Sequence, residues 1–245
     1  MSAKVVEVVF VIDASASMRP CFDALTRNIE SLLKPLQGFN FEVRLGLVAL
    51  HVGTNPRTGG HVFENWTMAG QNREEDIYTK SNGELFTTSP DAFLGRLRDV
   101  TLEGDEHALI ALDMALDHPF GPVATTRRVV ACFSDERIED GALGEGDLEK
   151  LPVLLEKIAA RRILVFGALP ASPVLDELAS ADRSQFESVN GGDGLASVDF
   201  SKLLGQMAKS ISVASLQGNE SHYASALWKQ DRWGKTDSYT FKDLR

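Results

Sequence analysis

Two segments far apart in the chain share one design: VVEVVFVID (5–13) and RRVVACFSD (127–135) are nearly unbroken apolar runs, and each ends in an aspartate. A strand that is apolar on both faces has to be covered on both faces, which points to a parallel sheet between layers of helices. The rest of the sequence supplies those helices. Met18, Cys21, Phe22, Leu25, Ile29, Leu32, Leu33 and Leu36 recur at i, i+3, i+4, i+7 with Gly38 as a stop, so an amphipathic helix follows the first strand. FEVRLGLVALHVG (41–53) reads as a second strand, and HVFENWTM (61–68) pairs with it as an antiparallel edge. Residues 69–82 are polar and read as a mobile loop.

Ser89-Pro90-Asp91 has a capping residue and a first-turn proline, opening a short helix to about Val100. Leu109, Leu112, Ala115 and Leu116 mark a further helix, and His107 in its first turn is expected at the surface rather than in catalysis. Beyond 135 the alternation continues with helix DLEKLPVLLEKIAARR (147–162), strand RILVFGAL (162–169), a helix around 173–181, strand QFESV (185–189) and helix FSKLLGQMAKSI (200–211). The expected fold is α/β: a mostly parallel central sheet with an antiparallel edge strand and helices on both faces. At 245 residues and 43% hydrophobic content the chain can bury one large core. Residues 1–217 are expected to form one domain and 218–245 a C-terminal extension. The extension carries Tyr223, Trp228, Trp233, Tyr239 and Phe241, which fits docking better than disorder.

A formal charge of −10 argues against a nucleic-acid partner. Cys21 and Cys132 are too few for a disulfide framework and fall in segments that read as buried. No signal-peptide pattern opens the chain, and no apolar run approaches the ~20 residues that span a bilayer, so the expected setting is cytoplasmic with no membrane contact. Phosphate-loop and dinucleotide-binding glycine motifs, a Gly-x-Ser-x-Gly elbow and His-Glu-x-x-His are all missing from the sequence.

In open α/β sheets the functional crevice lies outside the carboxyl ends of the strands, where Asp13 and Asp135 both fall. Ser15 and Ser17 follow Asp13 at alternate positions. Hard oxygen donors of this kind suit Mg²⁺ or Mn²⁺. Bland readings of the same residues are strand-end acids that cap helices, and Ser17 as an N-cap.

The pattern Asp13-x-Ser15-x-Ser17 after an apolar strand resembles the first loop of the metal-ion-dependent adhesion site (MIDAS) of von Willebrand factor A (vWA) domains, also found in integrins. The segment FSDE resembles that family's third metal loop, with Asp135 as the matching acid. The second loop of the family has Gly-x-Thr opening a helix with a later Ala-Leu; here Gly104-Asp105-Glu106 precedes Ala111-Leu112, so Glu106 stands in the threonine's place. The resemblance spans roughly residues 4–215 and implies a Rossmann-like vWA fold with metal ligands Asp13, Ser15, Ser17, Glu106 and Asp135. Asp105 competes with Glu106 for that role. A third carboxylate would hold the cation tighter and weaken its pull on an acidic residue from a partner.

The resemblance further implies a non-enzymatic module that binds a protein partner at its metal-bearing face. A scaffold or adaptor in a cytoplasmic multi-protein system, such as an AAA+ ATPase-associated, stress or defence complex, is the expected setting. Two other classes stay open: a Mg²⁺-dependent phosphohydrolase or phosphotransferase, and a structural vWA-like domain that binds no metal. The phosphoryl-transfer class needs a second acid two residues after the first, and Ser15 stands there.

Overall fold

A nine-residue run rich in valine forms the central strand β1 (Val5–Asp13), buried along its length except at half-buried Val5. It lies between β2 (Glu42–Thr54) and β5 (Thr126–Phe133), parallel to both. Beyond β5 come β6 (Leu164–Pro170) and β7 (Ser184–Val189), again parallel. Beyond β2 come β3 (His61–Thr67) and β4 (Gly70–Glu74), each antiparallel to its neighbour. The order is β4-β3-β2-β1-β5-β6-β7. The computed structural model describes residues 5–74, 84–105, 107–140, 148–181 and 183–217; the 218–245 extension lies outside them.

Alternate side chains of β1 feed two cores. Phe10 and Ile12 join Leu25, Leu32, Phe133, Phe166, Leu204 and Met207 beneath α1 (Arg19–Gly38), α2 (Pro90–Asp99) and α6 (Phe200–Gln217). Val9 and Val11 join Leu50, Leu112, Val130, Ile158 and Leu178 beneath α3 (Ala108–Leu116), α4 (Leu151–Arg161) and α5 (Pro173–Ser180). Each such side chain contributes roughly 1.5–3 kcal/mol by leaving water, so the sheet is anchored from both faces. Ser89 caps α2 as expected, accepting a hydrogen bond from the Ala92 N–H at 3.2 Å. Cys21 and Cys132 are buried core thiols, and burial pushes Cys132 up to about 12.

Three local expectations are corrected. Residues 70–74 of the expected loop form β4, an edge strand held by main-chain pairing to β3, which requires no apolar pattern. His107 is buried at the start of α3, where a surface position was expected. The last helix runs on to Gln217. Among the described residues no helix is long and apolar enough to cross a membrane.

The chain leaves β1 toward β2 on one side and later crosses to β5 on the other. That reversal makes a switch point, which opens a crevice at the carboxyl ends of β1 and β5. Asp13 ends β1, and Asp135 lies two residues past β5.

Candidate metal centre

The turn after β1 is clamped by main chain on both sides. The Ala14 N–H donates to the Leu50 carbonyl at 3.0 Å, and the Ala14 carbonyl accepts from the Glu103 N–H at 3.0 Å. This clamp fixes where the flanking Asp13 and Ser15 side chains can go. Asp13 Oδ1 accepts from the Ser15 N–H at 2.7 Å, and Oδ2 accepts the hydroxyls of Ser15 at 3.1 Å and Ser134 at 3.2 Å. Ser17 donates its hydroxyl to Asp135 Oδ1 at 3.0 Å. Asp135 Oδ2 accepts from the Gly194 N–H at 2.7 Å, and its carbonyl accepts from the Gly192 N–H at 2.8 Å.

Ser15 Oγ and Ser17 Oγ stand 3.0 Å apart. A serine has one hydroxyl proton. With both carboxylates ionised, Ser15 gives its proton to Asp13 and Ser17 gives its proton to Asp135, so no proton is left for the contact between the two oxygens. Two lone-pair-bearing oxygens flanked by two carboxylates form a cluster that a cation would complete. Asp13, Ser15, Ser134 and Asp135 are buried and Ser17 is exposed, so the cluster opens to solvent at Ser17.

Electrostatics point the same way. Burial, with the Asp135 charge adding to it, pushes Asp13 up to about 6 against the opposing hydrogen bonds from Ser15 and Ser134. At the rim, Glu136 is also raised, first by burial and then by the charges of Asp135, Asp140 and Asp105. The donor set is hard oxygen throughout and fits Mg²⁺ or Mn²⁺ in chemistry.

The structure therefore brings together four of the five residues expected from the sequence: Asp13, Ser15, Ser17 and Asp135. Glu106 lies outside the described residues. The competing Asp105 is exposed, with its main chain paired to Val52 at 2.7 and 2.9 Å. Ser17 does not act as an N-cap: that position belongs to Ser15 for the short 3-10 turn Ala16–Met18 and to Met18 for α1, neither with a side-chain cap bond. Two contributors escaped the sequence reading. Ser134 directly precedes the expected acid, and Gly194 sits in the glycine-rich NGGDG (190–194), whose composition was the available signal.

Comparison with solved structures finds similar folds at low sequence identity. A pilus adhesin, SpaC from Lactobacillus rhamnosus GG, matches over 86% of this chain and 30% of its own, with a TM-score of 0.50 and 13% identity. A von Willebrand factor type A protein from Catenulispora acidiphila matches over 84% of this chain and 43% of its own, with a TM-score of 0.49 and 16% identity. The SpRpn10 VWA domain matches over 81% of this chain and 97% of its own, with a TM-score of 0.48 and 15% identity. The chain thus spans less than a third of the adhesin's length. No protein-family model and no curated protein matches the sequence. What the adhesin's similarity establishes is the fold alone, a Rossmann-like α/β domain with a mostly parallel sheet between helices.

Proposed function

We propose that the chain is a metal-dependent protein-interaction module. In this reading Asp13, Ser15, Ser17 and Asp135 hold Mg²⁺ or Mn²⁺ at the carboxyl end of the sheet, with Glu106 as a further carboxylate. A protein partner docks on the metal-bearing face. The observation that carries the reading is the 3.0 Å contact between Ser15 Oγ and Ser17 Oγ, whose protons are both engaged by the flanking carboxylates. The adhesin's shared fold supports it by analogy only, since a fold hosts many functions. A scaffold or adaptor in a cytoplasmic multi-protein system, such as an AAA+ ATPase-associated, stress or defence complex, is the setting this reading favours.

Calorimetric titration with Mg²⁺ tests the centre directly. Wild type should give saturable heat and Asp13→Ala none; equal, negligible heats from both proteins would sink the reading. The module is also expected to turn over nothing by itself. Ser15 occupies the position where phosphoryl transfer would need an acid, and the sequence offers no recognisable pairing of a general acid with a general base. Metal-dependent hydrolysis of a generic phosphate ester, abolished in Asp13→Asn, would replace the binding reading with an enzymatic one.

A further inference from the structure

A second group of ligating side chains stands beside the first and shares none of its residues. One ligand atom each of His51, Glu64 and Glu103 lies within 4.8 Å of the other two. The fold brings them there by three separate devices. His51 and Glu64 are direct cross-strand partners in the β2/β3 ladder, which sets their side chains next to each other on one face. Glu103 comes from the loop before α3 and is fixed by the bond from its N–H to the Ala14 carbonyl at 3.0 Å. Gly104 lets that loop lie against the imidazole: a Cβ there would sit 3.1 Å from His51 Cδ2 and 2.8 Å from the Val52 carbonyl oxygen, and its φ is +76°.

The imidazole is set like a ligand. His51 is 2% exposed, and the Trp66 ring meets it edge-on at 5.1 Å and 65°, which holds its plane. Its Nε2 faces Glu64 Oε2 at 3.6 Å, too long for a hydrogen bond. Among the described residues Nδ1 has no hydrogen-bond partner, although the Thr101 and Ala14 carbonyls lie close enough to favour a proton on the ring. Burial outweighs those carbonyls and both glutamates and pulls His51 below its ordinary range, toward the neutral form that binds metals. Glu64 is oriented in turn by Gln71 Nε2, which donates to Oε2 at 3.1 Å, as outer-sphere donors do at metal sites.

We propose that His51, Glu64 and Glu103 form a second cation site that takes a divalent transition ion of the Zn²⁺ class. One neutral imidazole and two carboxylates balance a divalent charge. The nitrogen donor separates this site from the all-oxygen centre, because imidazole suits Zn²⁺, Co²⁺ or Fe²⁺ and not Mg²⁺. Glu103 is exposed, so the site has an opening to solvent through which an ion can enter.

The test uses the full chain with Co²⁺ as a visible-absorbing probe. It is run in two backgrounds that silence the first centre: the Asp13→Ala variant, and wild type saturated with Mg²⁺. A single equivalent of Co²⁺ should bind in both, be displaced by Zn²⁺ and resist excess Mg²⁺. Glu103→Gln, at an exposed position that does not threaten folding, should weaken binding by roughly tenfold or more, and His51→Gln should abolish it. If neither background takes up Co²⁺, or if uptake is unchanged by either substitution, the three side chains form an ion-pair cluster only and the proposal fails. The outcome is independent of the Asp13 centre, since the probe is read where that centre is removed or filled.

Discussion

Gly194 has no side chain to offer, yet its main chain holds one carboxylate oxygen of the centre. Its N–H holds Asp135 Oδ2, and its φ is +61°, where a β-carbon is strained. A Cβ would also meet the Ser17 carbonyl oxygen at 2.0 Å and Pro20 Cδ at 2.7 Å, both on rigid chain. Gly194→Ala must therefore push the Ser17 turn away from Asp135. Urea denaturation should show a loss of roughly 1–3 kcal/mol, and calorimetry a weakened response to Mg²⁺. Gly205 provides the contrasting case. It lies within α6, and a Cβ there meets nothing within 4 Å. Gly205→Ala should stabilise the protein by roughly 0.4–1 kcal/mol through the unfolded chain and leave ion binding unchanged. Equal effects at the two glycines would show that backbone strain at the site has been misassigned.

At the scale of elements, α3 ends against a buried histidine. His118 packs edge-on against Phe86 at 5.8 Å and lies 6.3 Å from Phe120; its Nδ1 is 3.3 Å from the Met114 carbonyl. Burial pulls it from 6.5 down to about 4, with the Arg161 charge adding to the shift and the Met114 carbonyl and Asp117 opposing it. Between those two pH values the unfolded chain takes up a proton that the folded one refuses. The stability tied to a neutral His118 is thus intact above about pH 6.5 and is lost as pH falls toward 4, a change of about 3 kcal/mol. Comparing urea midpoints at pH 7 and pH 4.5 should show a smaller acid loss in His118→Gln than in wild type. That difference cancels the other titrating groups, including Asp13, whose raised value acts in the opposite sense.

Elements also show what was legible beforehand. β1 and β5 could be read because burial on both faces writes an unbroken apolar run, and α1 because one buried face writes a 3.6-residue period. β4 could not, because its pairing is carried by main chain and its two-residue turn, Met68-Ala69, lacks the Asn-Gly chemistry that usually announces a hairpin. The candidate centre follows the same logic. Asp13, Ser15 and Ser17 share one turn, so their spacing is visible in a line of sequence. The donors reaching them from Ser134 and Gly194, and the approach of Glu103 to His51, depend on loops whose return to the sheet end has no local signature.

Taken as a whole molecule, ion binding and folding should be one equilibrium. The first centre draws Asp13 from the end of β1, Ser15 and Ser17 from the turn between β1 and α1, and Asp135 from beyond β5, while the loop before α6 supplies Gly194. Unfolding separates groups that lie 118 residues apart, so an ion that binds them together binds only the native state. At an ion concentration of about 100 times its dissociation constant, linkage contributes about 2.7 kcal/mol. For a chain of this length that raises Tm by roughly 5–10 °C. Ser17→Ala isolates the effect, because Ser17 is exposed and Asp135 keeps the Gly194 N–H on its other oxygen when the Ser17 hydroxyl is removed. In EDTA the variant should melt close to wild type; in excess Mg²⁺ it should lose most of the wild-type gain. A wild-type melting temperature that ignores Mg²⁺ and Mn²⁺ alike would leave the oxygen cluster a purely structural knot, with the docking face independent of metal.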